Sequence, residues 1–457
     1  MKRSVLVASI WLGAVASRAF AAEVSINGDA RQTLDASNNY FLTNSPTGYA
    51  GKPMSAFDLT FLAATPTARY RLDTNYSYYT YWGPGAEQQL LKYGTPAGAK
   101  FSTEFFGARD KFNFVASWQR ADVATTALEQ TGVAVGRGTI DTYKVGGGVT
   151  HTISRTDSIS WSSNVSTVSY SDPTQTPYID FATNTAWSHR LDATTNLVNS
   201  VSLDWFSEDN VFKNQRLLWN ATSALQSQLT RRLSLNASIS AIFVNAYEKG
   251  AVQSVNPLGA FQVQAGTASG LLGNAALTYK FSPTTVASLT ATHTVVPTIF
   301  GQLQETDSAG LVISHTVNQY SGITALTQFS KSSANGTSSE FFTASVNYEY
   351  KLAREWRTNL TYTYRQRDDT TGVATSSTVL LGLRRDFNLY GKPPGAPANA
   401  IPAAQLANDA LVRGGLVLPT LNPEQPLNLR PGAEPPPTTP EEEGQPTANP
   451  DEAAPQD

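Results

Sequence analysis

The stretch Ala68-Arg69-Tyr70-Arg71-Leu72-Asp73-Thr74-Asn75-Tyr76-Ser77-Tyr78-Tyr79-Thr80-Tyr81-Trp82 divides by parity. Even positions carry Ala68, Tyr70, Leu72, Thr74, Tyr76, Tyr78, Thr80 and Trp82. Odd positions carry Arg69, Arg71, Asp73, Asn75, Ser77, Tyr79 and Tyr81. Period two sends successive side chains to opposite faces of a β-strand. One face is fit for hydrocarbon and the other for water, the signature of a strand in the wall of a transmembrane barrel.

The same division recurs along the chain. Leu233, Leu235, Ala237, Ile239, Ala241 and Phe243 alternate with Ser234, Asn236, Ser238 and Ser240. Phe342, Ala344, Val346, Tyr348, Tyr350 and Leu352 alternate with Thr343, Ser345, Asn347, Glu349 and Lys351. Trp356, Thr358, Leu360, Tyr362 and Tyr364 alternate with Arg357, Asn359, Thr361, Thr363 and Arg365. Segments of about ten residues suffice for a tilted strand to cross the hydrocarbon layer.

Connections alternate in length. Short ones lie at 65–67, 107–111, 154–157, 192–195, 230–232, 282–285, 318–321 and 353–355. Longer polar stretches lie at 33–54, 83–97, 121–141, 171–180, 207–214, 247–268, 297–307, 331–339 and 368–375. Short periplasmic turns and long extracellular loops are the habit of outer-membrane barrels. Eight turns and nine loops join eighteen antiparallel strands. The stretches 98–106, 286–296 and 308–317 alternate poorly, which leaves sixteen open.

The ends differ from this body. Met1-Lys2-Arg3, an apolar run from Val5 to Val15 and Ala19-Phe20-Ala21 read as a signal peptide over residues 1–21. Its apolar run is shorter than the roughly 20 residues of a spanning helix. The barrel is expected over 22–387, from a first strand at Val24 to Gln32 to a last at Ser377 to Phe387. A terminal aromatic suits strands handled by the outer-membrane barrel assembly machinery. Residues 388–457 form a proline-rich acidic tail: fifteen of the 25 prolines fall between Pro393 and Pro455. Such composition cannot pack a core, and a disordered periplasmic tail is expected, with at most one short helix at Ala403 to Val412. Extended proline-rich segments suit docking to a periplasmic partner.

Charge and cysteine content narrow the function. The formal net charge is -3. Residues 391–457 hold three basic and nine acidic residues, so residues 1–390 sum to +3, all of it in Lys2, Arg3 and Arg18. A neutral body gives no footprint for nucleic acid. No cysteine is present, which excludes disulfides, thiolate metal sites and a lipidated cysteine anchor. A mean hydropathy of -0.25 and the lack of an 18-residue apolar run exclude spanning helices after the signal.

Catalytic chemistry finds no motif. His151, His189, His293 and His315 fall on four separate expected strands, and no Gly-x-Ser-x-Gly turn announces a nucleophile. No metal-ligand spacing or complete calcium loop is present, so neither cofactor nor metal is expected. Asp35 to Asn39 reads as a polar turn. Gly146-Gly147-Gly148 lies inside a strand pattern, where a curved wall or close backbone approach explains it better than a phosphate cradle.

The expected water-facing residues are Arg69, Arg71, Asp73, Asn75, Glu349, Lys351, Arg357 and Arg365, diluted by Ser, Thr, Asn and Gln. Their mixed signs suit uncharged polar solutes or small ions better than a one-sign ladder would. An interfacial aromatic girdle is expected at Trp82, Trp205, Trp219 and Phe243 on one rim and Tyr279, Phe281, Tyr350, Trp356 and Phe387 on the other. Outer-membrane lipid is then the obligatory partner.

Two short stretches carry a resemblance. Asp35-Ala36-Ser37-Asn38-Asn39-Tyr40-Phe41 and Leu381-Gly382-Leu383-Arg384-Arg385-Asp386-Phe387 resemble the outer-membrane β-barrels associated with exopolysaccharide and protein-sorting systems of Proteobacteria. It covers positions 23–387 and implies a barrel with no catalytic residues; the proline-rich tail departs from that family. Three expectations follow. A barrel of 16 to 18 strands encloses an aqueous channel, so passage of small polar solutes comes first. An anchor or exit port whose tail recruits a periplasmic partner comes second. A hydrolase is third, and no motif supports it. The loops at 33–54, 121–141 and 247–268 are the candidates for folding inward.

Overall fold

The computed structural model describes residues 23–46, 48–86, 93–126, 138–209, 215–247, 266–297, 303–334 and 337–391. The expected signal peptide, the tail from residue 392 with its short helix, and the central parts of several loops lie outside these residues.

The described chain is almost entirely strand: β1 (Glu23–Ser37), β2 (Ala50–Ala64), β3 (Ala68–Thr80), β4 (Tyr93–Gly94), β5 (Ala97–Phe106), β6 (Asp110–Asp122), β7 (Thr139–Thr152), β8 (Asp157–Tyr170), β9 (Tyr178–Arg190), β10 (Thr195–Glu208), β11 (Gln215–Ser227), β12 (Leu233–Tyr247), β13 (Gly266–Ser282), β14 (Thr285–Pro297), β15 (Leu303–Asn318), β16 (Ser321–Ala334), β17 (Thr337–Lys351), β18 (Trp356–Asp369) and β19 (Gly372–Tyr390). Both β4 and β5 pair with β3, as two pieces of one stave interrupted before Ala97, so the wall has eighteen staves. Each pairs antiparallel with its neighbours in sequence. The sheet closes where β1 meets β19, in register from Ser37↔Thr378 to Ile26↔Tyr390, with a bulge at Ile26/Asn27. Closure leaves no row of backbone N–H and C=O groups unpaired, the condition for a sheet to cross lipid.

Directly paired residues share a face, so register carries the parity of one strand around the whole wall. Leu34 pairs with Leu381, which pairs with Leu360, and all three are exposed. Their neighbours Asp35, Leu380 and Thr361 lie on the opposite face. That face is the concave one. Side chains converge there, and it holds the buried Ser25, Asp29, Asp35, Ser37, Thr290 and Ser314, whereas the exposed Leu, Phe and Trp side chains diverge on the other. No helix among the described residues is long and apolar enough to cross a membrane. The apolar face is therefore the outer one, a belt of exposed Ile, Leu, Val and aromatic side chains.

The structure corrects several expected boundaries, mostly because polar stretches read as loops continue as strand. The first strand runs to Ser37 rather than Gln32, since Asp35 turns inward and pairs with Lys52 at 3.8 Å. The connection expected at 368–375 is the two-residue turn Thr370-Thr371, closed by Asp369 Oδ1 accepting from the Thr371 amide at 2.8 Å. Gly372 follows at φ 122°, a conformation favouring glycine. Strands β16 and β17 likewise fill most of 331–339, leaving only 335–336 between them. The last strand spans Gly372–Tyr390, beyond both expected ends. Trp82 falls just past β3 and joins the wall through a single bridge to Gly51.

The glycine run behaves as a close backbone approach. A Cβ at Gly146 would stand 2.7 Å from Asn164 Cβ, and one at Gly148 would stand 2.8 Å from the Trp161 carbonyl oxygen. On the short-turn end, Asp192 closes a hairpin by accepting from the amide and hydroxyl of Thr194, at 2.6 and 2.8 Å. Those bonds, the backbone one first, hold its carboxyl below the usual range.

Candidate functional site: the inner wall at the barrel seam

The inner face of five adjacent staves carries a chain of charges that alternates in sign. Beginning on β17, Glu349 Oε1 lies 3.6 Å from Arg357 Nη1 on β18. Arg357 Nε reaches Asp386 Oδ2 on β19 at 3.1 Å. Asp386 accepts from Arg384 Nε at 2.6 Å, and Arg384 Nη2 crosses the seam to Asp29 on β1 at 3.3 Å. Arg31 then joins Asp29 at 2.9 Å and Asp58 on β2. Three guanidiniums thus sit between four carboxylates.

Two local causes make this chain. Asp29-x-Arg31 and Arg384-x-Asp386 put opposite charges two residues apart, hence on one face. Closure then places Arg31 beside Arg384 and Asp29 beside Asp386, so that Arg384 finds Asp29 diagonally across the seam while Arg31 turns to Asp29 and to Asp58 on β2.

A second group continues around the wall. Arg71 pairs with Asp73 at 2.7 Å, and Asp73 also accepts from Thr60 at 2.7 Å. Glu104 on β5 lies between Arg69, at 3.7 Å, and Lys111 on β6, at 2.8 Å. Of the sequence-predicted residues, Arg69, Arg71, Asp73, Glu349 and Arg357 therefore enter ion pairs. Asn75 pairs in register with Asp58, Lys351 with Arg357, and Arg365 with Thr343 and Ser376, on the same face.

Sequence reasoning missed Asp29, Arg31, Asp58, Arg384 and Asp386, four of them visible as the same charged i, i+2 pattern that singled out Arg71 and Asp73. By contrast, β12 and β14–β16 present Ser234, Asn236, Ser238 and Ser240, then Ser288, Thr290, Thr292 and Thr294, then Ser308, Ser314 and Thr324 to the inner face. Hydroxyls bond across strands there, as between Thr292 and Ser308 at 2.5 Å and Thr222 and Ser240 at 2.8 Å.

Part of the first loop bends inward at the long-loop end. Leu42 is fully buried against Ala374, with Phe341 packed beside it, both on the inner register. Asn39 fastens the loop, donating to the carbonyls of Thr43 at 2.7 Å and Thr375 at 3.0 Å. Tyr81 packs edge to face against both Tyr40 and Phe41, and Lys52 lies 5.1 Å from the Tyr40 ring and 4.9 Å from that of Tyr79. Residues 127–137 and 248–265, the centres of the other two inward candidates, lie outside the described residues.

The expected girdle positions occupy the outer register. Trp219 pairs with Phe243 and Trp205 with Leu217, while Trp82 covers Gly51. At the other rim Tyr279 meets Phe281 edge to face at 4.7 Å, and Phe387 stacks on Phe57 at 5.8 Å. Trp356 carries Arg385 over its ring at 5.5 Å, and Tyr350 pairs with Thr358.

An apolar belt outside, a charged and hydroxylated wall inside and a closed ladder of hydrogen bonds define a transmembrane β-barrel. No family model matches the chain, and neither does any curated protein. Among solved structures it is similar to OccK2 (OpdF) of Pseudomonas aeruginosa, with 9% identity and a TM-score of 0.46 over 80% of this chain and 98% of that one. It is also similar to OpdK of the same organism, crystallised with vanillate, with 11% identity and a TM-score of 0.46 over 80% and 98%. OccAB2 of Acinetobacter baumannii follows with 9% identity and a TM-score of 0.44 over 80% and 98%.

Proposed function

We propose that this chain is a porin-like channel of a Gram-negative outer membrane, passing small polar solutes through a lumen of mixed charge. The observation that carries the reading is the alternating chain from Glu349 to Asp58 on the inner wall. Lumen-facing charges set the selectivity of a barrel pore, and nearly balanced signs favour neutral polar solutes over ions of one sign. Arg69, Arg71, Asp73, Asn75, Lys351 and Arg365 extend this lining, and the hydroxyl-rich staves supply its uncharged side. The outward aromatics seat the barrel at the two interfaces.

The test is the conductance and reversal potential of the purified full-length protein in a planar bilayer under a salt gradient. A charge about 7 Å from a passing ion in a water-filled pore contributes about 0.6 kcal/mol, or roughly a threefold change in permeability ratio. Arg31→Gln should raise cation preference by about that factor and Asp58→Asn should lower it. Silence of the protein at all voltages would overturn the channel reading. Unchanged ratios in both variants would remove the charge chain from the lining.

A second reading makes the barrel an exit port of an exopolysaccharide export system, recruited through its tail. The proline-rich, acidic composition of residues 392–457 favours it. Truncation after Gly391 separates the two. A channel keeps its conductance, whereas a partner-dependent port changes its open probability.

A further inference from the structure

The four histidines share an arrangement that the channel reading does not use. Each stands on the outer register near a rim. His151 pairs with Asp110 at 2.6 Å, His189 with Asp157 at 2.7 Å and His315 with the Thr285 hydroxyl at 2.8 Å, all three near the short-turn end. His293, toward the long-loop end of β14, pairs with Asp307 on β15 at 2.6 Å through Nδ1. It alone has a second carboxylate: Glu305 Oε1 lies 3.8 Å from its Nε2. His151 and His189 show that one carboxylate is enough to seat a rim histidine, so Glu305 is surplus to that task.

We propose that His293 and Glu305, with Asp307 orienting the imidazole, form a divalent-cation site on the outer surface of the barrel, of the class that imidazole and carboxylate favour, such as Zn2+. Asp307 fixes the ring with its Nδ1–H directed at the carboxylate, which presents the Nε2 lone pair to the ion. Metal-ligating histidines are commonly oriented by a carboxylate in this way. Metal–ligand bonds of about 2.0–2.2 Å at a tetrahedral angle span roughly 3.4 Å between two donor atoms. The observed 3.8 Å therefore closes with a shift of a few tenths of an ångström. One ligand atom from each of the three residues lies within 4.8 Å of the others, and this is the single such group among the described residues.

The surroundings leave the ion room and charge. Lys331, paired in register with Asp307, donates its Nζ to Glu340 at 3.0 Å. Ala291, Ala309 and Gly273 border the groove beside His293 and Asp307, with Phe329 its one large apolar lining residue. The side chains of His293, Glu305 and Asp307 stay 39%, 53% and 60% exposed, so outer coordination positions are open. Water or a lipid phosphate oxygen can fill them.

The experiment titrates the full-length protein, in detergent micelles at neutral pH, with Zn2+ alone. One saturable site is expected. His293→Ala and Glu305→Gln should abolish it, and Asp307→Asn should weaken it about 10- to 100-fold. His189→Ala, which alters a rim pair with a single carboxylate, should leave it intact. Histidine 15N spectra supply a readout independent of the variants. The proposal expects Nε2 of His293 to shift on zinc addition while Nδ1 stays protonated. A spectrum with both nitrogens protonated and unmoved by zinc would make His293 a cation bridging two carboxylates and overturn the site. So would zinc binding that survives in His293→Ala.

Discussion

Leu360 and Thr361 are neighbours in β18, yet they stand on opposite sides of the wall, and arginine at each position tests the whole register. Leu360 is half-exposed on the outer face between Leu381 and Tyr348. Thr361 points inward, where its hydroxyl donates to Asn347 Oδ1 at 2.7 Å. A strand rising about 3.3 Å per residue at a tilt near 40° gains about 2.5 Å of membrane depth per residue. Leu360 is four residues beyond Trp356, the first residue of β18; with Trp356 at the interface, as expected of it, Leu360 lies about 10 Å inside an apolar band some 25 Å tall, close to its middle. Arginine facing lipid near mid-membrane costs roughly 2–4 kcal/mol. Thr361→Arg loses one hydrogen bond worth about 1 kcal/mol and places its guanidinium in the polar lumen.

Equilibrium unfolding in urea with lipid vesicles, read by tryptophan fluorescence and heat-modifiable mobility, should therefore destabilise Leu360→Arg by at least about 1 kcal/mol more than Thr361→Arg. Equal destabilisation, or the reverse order, would refute the assignment of the inner and outer faces. Because register carries parity around the closed sheet, that failure would extend to every inward-facing residue named above.

Three further outcomes are expected. Gly51→Leu should expel the Trp82 indole, whose Nε1 occupies the space a Cβ would need, and a red shift in tryptophan emission checks this. Leu42→Ala empties the fully buried contact with Ala374 and should cost about 2–5 kcal/mol if that contact matches a packed core. Its direct sign is increased proteolytic cleavage within residues 38–46 while the barrel remains resistant. For Asp192, folding lowers the carboxyl's pKa, so its contribution is fully present above the ordinary carboxylate range and is lost as pH falls through the depressed value. Asp192→Ala should accordingly be less stable than the parent at pH 7, and the gap should narrow in acid. A gap that widens in acid would reverse the sign.

What the sequence determined by itself was whatever period two encodes. The alternation from Ala68 to Trp82, repeated through Phe342–Leu352 and Trp356–Arg365, is a local property of the backbone pleat. It could be read without knowing any neighbour, and it led to strands, faces and the barrel class. Boundaries were less legible, because serine, threonine and aspartate serve equally in a wet strand face and in a loop. Asp368-Asp369-Thr370-Thr371 looked like a long connection and is strand plus a two-residue turn. The site divides in the same manner. Arg71 and Asp73 are two residues apart and announced themselves, as Asp29 with Arg31 and Arg384 with Asp386 should have done. That these last two pairs belong together, 353 positions apart between Arg31 and Arg384, follows only from closure of β1 on β19. The joining of Glu305 to His293 is decided the same way, by the antiparallel register of β14 and β15. Local spacing sets which way a side chain faces, while its partner across the sheet is set by which strands pair and in what register. Only the tertiary structure supplies that.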